Sequence, residues 1–124
     1  MRTFEDIIKD GLVQNTTALA EAIHGASLKV TDGGVRSTLM AAGGVADSLV
    51  EHMAELLMTG QTASLRIGAY LGLLDFLLGR AEREAALMIA DTGHVRRARE
   101  ALAKWIKENM AQDKEDKGDG NGKG

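Results

Sequence analysis

Cysteine and proline are both absent from this chain of 124 residues. Without cysteine there is no disulfide, no thiol nucleophile and no thiolate metal site, and the redox compartment is left open. Aromatic residues are scarce, at 3%, so a core has to be filled by aliphatic side chains. His24, His52 and His94 are scattered over three segments and do not form a ligand set. Long apolar runs are missing as well. The obvious candidate, Ile67 to Leu74, lies between Arg66 and Asp75, far short of the roughly 20 residues a bilayer needs. Asp75 in mid-membrane would also cost at least about 2.5 kcal/mol. No membrane is therefore expected among the partners. The start, Met1-Arg2-Thr3-Phe4-Glu5-Asp6, carries acids where an export signal needs an apolar core, so a cytoplasmic location is expected.

What is plentiful is Ala, Leu, Glu, Lys, Arg and Met, the composition of helices packed by aliphatic side chains. The length suggests one domain. Residues 1–111 are expected to form it, and residues 112–124 read Asp-Lys-Glu-Asp-Lys-Gly-Asp-Gly-Asn-Gly-Lys-Gly after Gln112, a polar tail that cannot repay the entropy of ordering and is expected to be disordered.

The organising stretch runs from Thr62 to Asp91. Ser64, Ile67, Leu71, Leu74, Leu78, Ala81, Ala85 and Met88 recur there at alternating steps of three and four, which is one continuous helical face. Up to Leu78 the opposite face is apolar too, with Leu65, Ala69, Leu73, Phe76 and Leu77. A helix apolar all round is surrounded by protein. This predicts a long, largely buried third helix of roughly 40 Å at 1.5 Å per residue, broken by Thr92-Gly93. Ser64, Gly68 and Gly72 are in register with Gly60 and leave a row almost free of side chains. The simplest use of that row is tight packing inside the monomer; the sharper one is a self-association seam.

The other helices follow the same logic. Thr3 with Asp6 resembles a capping box, and Phe4, Ile8, Leu12, Leu19 and Ile23 predict helix one to about His24, stopped by Gly25. Ser27 to Gly34 reads as a connection, with Thr31 or Asp32 free to cap helix two. Val35, Leu39, Ala42, Ala46, Leu49, Met53 and Leu56 keep one register across Gly43-Gly44, predicting a single helix to Thr59 with a weak midpoint. Val95, Ala98, Leu102 and Trp105 give helix four, reaching about Met110. Four amphipathic helices with short connections make an all-α, four-helix bundle.

Several constellations bear on chemistry. Glu21 and His24 have the Glu-x-x-His spacing of di-iron bundles, but the second copy is missing, since Leu49 stands three before His52; His24 reads as a helix-end histidine. Leu39 to Met53 has the outline of a helix-turn-helix, yet Asp47 and Glu51 on its second helix have the wrong sign for DNA. Asp47, Glu51 and Glu55 form an acidic stripe, with Asp75 following on the third helix. Glu51 to Leu78 faintly resembles the all-helical nucleotide pyrophosphohydrolases of the MazG type, in which a Glu-x-x-Glu pair and a later Glu-x-x-Asp pair hold magnesium. Here Glu51 and Glu55 are four apart, and Gly72 stands three before Asp75, so the resemblance implies a magnesium-dependent hydrolase whose ligand set is incomplete. The residue-based alternative is a solvated acidic face, with Asp75 a buried or interface carboxylate that needs a partner.

No positive charge occurs between Ser37 and Leu65, whereas Arg96, Arg97, Arg99, Lys104 and Lys107 crowd helix four against Glu100 and Glu108. These five cations are the candidate nucleic-acid-binding residues, or else a solvated face that complements the acidic second helix within the fold or across a dimer. No nucleophile with a base, phosphate loop or dinucleotide fingerprint is present, and no catalytic residue, metal ligand or cofactor is assigned. The expectation is a non-enzymatic, homo-oligomeric adaptor or regulator, a dimer first of all, acting by macromolecular binding. The alternative is an accessory nucleic-acid binder, and the least favoured a magnesium-dependent hydrolase.

Overall fold

Helix α1 spans Phe4–Lys29, four residues beyond the stop expected at Gly25. Ala26 and Val30 continue the buried face of Leu19 and Ile23 at helical spacing, and burial outweighs the modest helix cost of one glycine. The connection to α2 (Gly33–Thr59) is therefore only residues 30–32. Asp32 is the N-cap of α2: its Oδ2 accepts the Val35 amide at 3.0 Å. The Arg36 guanidinium donates to the Val30 carbonyl at 2.7 Å, satisfying an orphan acceptor past the end of α1. The computed structural model describes residues 4–59 and 64–109. The cap expected at Thr3, the stop at Gly60 and the tail at 112–124 lie outside the described residues.

Helix α2 continues through Gly43-Gly44 as one helix, in line with the unbroken register, and leaves no turn for a helix-turn-helix. Gly43 has a packing reason. The His24 ring lies over it, and a Cβ there would stand 2.5 Å from His24 Cε1.

The third helix departs from expectation. Helix α3 is Ser64–Ala85 and α4 is Ile89–Asn109, so α3 is shorter than α1 and α2, and the break falls at residues 86–88. Gly93 lies inside α4. The cause is local hydrogen bonding. The Thr92 hydroxyl lies 3.1 Å from both the Ala85 and Met88 carbonyls, and so serves the last acceptor of α3 and one in the connection. Leu74, Leu78, Ala81 and Ala85 are fully buried as the periodicity predicts, while Met88 is exposed. The opposite face is not surrounded by protein: Leu73 is 46% exposed and Phe76 57%.

Each helix packs on two neighbours, in the cycle α1, α2, α3, α4 and back to α1. The pairings set the directions. Thr38 meets Glu84 while His52 meets Tyr70, so α2 and α3 are antiparallel. Thr31 meets Asp91 while Thr16 meets Trp105, so α1 and α4 are antiparallel too. Among the described residues this is an all-helical bundle. Its core is aliphatic, with Ile23, Val35, Leu39, Leu49, Leu74, Leu78 and Val95 fully buried. Trp105 closes it between α4 and α1. Its indole donates to the Thr16 hydroxyl at 3.1 Å, and that hydroxyl donates to the Leu12 carbonyl at 2.6 Å. Threonine is a poor helix former, yet Thr16 is the buried polar anchor of this seam.

Leu78→Ala should destabilise the bundle by about 2–5 kcal/mol, as buried leucine truncations do. Leu87→Ala, at a site 90% exposed, should stay within about 0.5 kcal/mol. Urea unfolding followed by circular dichroism measures both.

Candidate functional site

The best-defined polar arrangement centres on Asp91, which the sequence presented as the end of helix three. It stands in the first turn of α4 and is fully buried. Its Oδ1 accepts the Thr31 amide at 2.7 Å and the Thr31 hydroxyl at 3.0 Å, and its Oδ2 accepts the Asp32 amide at 2.9 Å. In a capping box, a glutamate three residues into the helix returns to the N-cap amide. Here that position is Val35, and a carboxylate from another helix does the work. The Thr31 amide does most to hold the Asp91 carboxyl below its ordinary value of 3.8. Burial opposes this, and the Asp32 amide, the Thr31 hydroxyl and nearby His94 add to the lowering. The arrangement joins the 30–32 and 86–88 connections at one end of the bundle. The carboxylate spends its acceptor capacity on these three donors, which is a structural use.

The same end carries a surface that sequence reading missed. Ala86-Leu87-Met88-Ile89-Ala90 are all exposed, Leu87 at 90% and Ile89 at 91%. The uncharged run was legible, but the helical periodicity absorbed it into helix three.

The five cations of helix four do not act as one set. Arg99 turns to α3, where it donates to Glu82 at 2.8 Å and to Asp75 at 3.3 Å. Arg97 donates to His94 Nδ1 at 3.3 Å. Arg96, Lys104 and Lys107 are exposed. Within the fold, α4 does not pair with the acidic second helix, because α4 packs on α1 and α3. Asp47 is taken instead by His24 of α1, at 2.9 Å; His24 is no helix-end residue, since α1 runs on to Lys29.

Asp75 is neither buried nor unpaired: its side chain is exposed and bound to Arg99. It faces α4, whereas Glu51 is exposed on α2, so the structure does not bring these two carboxylates of the hydrolase reading together. Among the described residues no group of three or more His, Asp or Glu side chains is placed to hold a metal ion. His52 is buried against the Tyr70 ring, with centroids 5.7 Å apart and Nε2 lacking a hydrogen bond.

The small-residue row faces outward. Gly68 and Gly72 are exposed, and a Cβ at either would meet nothing within 4 Å. Tight packing inside the monomer is therefore not what these glycines serve. Ser64 opens the same helix. Exposed Ala69, Leu73 and Phe76 adjoin the row, and the Asp75–Arg99 pair runs along one edge. No described helix is long and apolar enough to cross a membrane.

No protein-family model, curated protein or solved structure matches this chain.

The lowered acidity of Asp91 has a defined sign. Its contribution is complete above the ordinary carboxylate value of 3.8 and is lost as pH falls through the lower folded value. Thermal melts from neutral to strongly acidic pH should show wild-type stability falling in that acid range. Asp91→Asn offers one acceptor oxygen where three donors converge. It should melt lower than wild type at neutral pH, and the gap should close in acid. An unchanged melting temperature at neutral pH would contradict the role given to Asp91.

Proposed function

We propose that this chain is a non-enzymatic, homo-oligomeric helical adaptor or regulator of the cytoplasm, with the outer face of α3 as its self-association surface. The observation that carries the reading is the open row Gly68 and Gly72 beside exposed Leu73 and Phe76. Monomeric proteins seldom leave a contiguous apolar face without a use. The favoured occupant is a second copy of the same face, because the row is self-complementary. In an antiparallel pair of α3 helices related by a two-fold axis near Leu74, Phe76 of one copy falls opposite Gly72 of the other. A ring then enters the space that the missing side chain leaves. The two-fold makes each such contact twice, as an isologous dimer requires.

The magnitude expected is modest. A face about 30 Å long and 10 Å wide is below the roughly 800 Å² per partner of a standard interface. Flanking groups such as Arg80 have to add area, and a micromolar dimer is expected. Size-exclusion chromatography with light scattering should give a dimer that dissociates on dilution. Phe76→Ser and Gly72→Leu should each give a folded monomer. A strict monomer across the micromolar range, or a dimer indifferent to both changes, would refute the reading.

The second reading, an accessory nucleic-acid binder, draws on four exposed cations, Arg96, Arg97, Lys104 and Lys107; Arg99 drops out because it is ion-paired to α3. Glu100 and Glu108 share that side of α4 and weaken it. Salt-sensitive retention of single- or double-stranded DNA that vanishes on replacing the four by glutamine would favour this reading. Absence of any retention at low salt would remove it.

A further inference from the structure

The α3–α4 connection carries a second surface, independent of the α3 face. Helix connections are normally polar, and a run of several consecutive exposed apolar residues is a fault in a soluble domain unless it has a use. Here Ala86 to Ala90 form such a run, with Leu87 and Ile89 about as exposed as side chains become. With side chains this exposed at the end of the bundle, they suit insertion into a partner rather than reception of one. The hydrogen bonds of Asp91 to Thr31 and Asp32 hold the root of this tip.

The charge around the tip is opposite in sign to that of the molecule. Residues 25–40 and 80–97 hold six Lys and Arg against four Asp and Glu, although the whole chain has a net charge of −3. The four acids are all engaged. Asp91 is buried on Thr31 and Asp32, Asp32 caps α2, Glu84 binds Thr38, and Glu82 binds Arg99. Among the cations, Lys29 in the last turn of α1, Arg83 in the last turn of α3 and Arg97 on α4 are exposed. Lys29, His94 and Arg97 line one shallow groove between α1 and α4 with Glu21 as its acid.

We propose that this end of the bundle docks on an anionic lipid surface, with Leu87 and Ile89 entering the headgroup–acyl boundary and Lys29, Arg83 and Arg97 meeting the phosphates. An apolar wedge combined with basic residues is what a reversible, non-spanning membrane contact requires. The negative cytoplasmic leaflet is the natural surface for it. A surface contact needs no membrane-crossing helix, and the uneven charge of the chain turns this end, rather than the acidic remainder, toward the lipid.

The test is co-sedimentation of the full chain with vesicles of equal parts phosphatidylglycerol and phosphatidylcholine, beside vesicles of phosphatidylcholine alone. Binding is expected to the anionic vesicles, weakened by salt. The Leu87→Ser/Ile89→Ser variant should bind about tenfold or more weakly, and so should Lys29→Gln/Arg83→Gln/Arg97→Gln. Both should keep the wild-type circular dichroism and melting temperature, because all five side chains are exposed. No binding to anionic vesicles at low salt would overturn the proposal and leave the apolar groove of a partner protein as what covers the tip. Binding undiminished in the serine variant would overturn it also, since charge alone would then hold the protein. Neither result depends on whether the α3 face dimerises.

Discussion

Three donors converge on one buried carboxylate, and the end of the bundle depends on that convergence. Asp91 takes the two amides that the α1–α2 connection exposes at its tightest point, and the Thr31 hydroxyl with them. A buried charge without partners would be prohibitively costly; with three donors it becomes a fixed point. Because Asp91 is itself in the first turn of α4, fixing it also fixes where α4 starts. Two short connections distant in sequence thereby become one unit, and the apolar turn between α3 and α4 is presented outward.

The opposite closure, between α1 and α4, uses different physics. Trp105 is nine-tenths and more buried, and its one polar atom finds the Thr16 hydroxyl. A buried indole usually requires such a partner, and Thr16 is free to supply it because its own proton goes back along α1 to Leu12. Between these two polar anchors the bundle is held by aliphatic packing. Small residues bring the helices close where they face inward, as Gly43 does beneath the His24 ring. Where they face outward, as Gly68 and Gly72 do, they leave an unfilled row.

Charge is used in the same divided way. Arg99 is drawn inward along the α3–α4 seam by Glu82 and Asp75, and His24 holds Asp47 across the α1–α2 seam. These pairs are partly exposed and individually worth little, but they remove Arg99, Asp75 and Asp47 from the stock of free surface charge. Among the described residues the surface still carries an apolar strip on α3, cations on α4 and an apolar tip. Each suits binding, and none of them assembles a nucleophile with a base.

The sequence by itself determined the helical class, the number of helices and most of the inner face. Val35, Leu39, Ala46 and Leu49 on α2, and Leu74, Leu78, Ala81 and Ala85 on α3, are buried where the spacing of three and four placed them, because a helix turns by a fixed angle per residue. Periodicity describes one helix at a time and carries no information about what faces it. It therefore could not tell that Leu73 and Phe76 look into open space, or that Arg99 is bound to α3. Nor could it stop the third helix at Ala85, since Met88 continued the pattern and the interruption comes from the Thr92 hydroxyl and from Asp91's attachment to Thr31 and Asp32, a contact across 60 residues. Local spacing decides which side of a helix is apolar. Only the packing of four helices together decided which apolar sides were covered and which polar groups had partners.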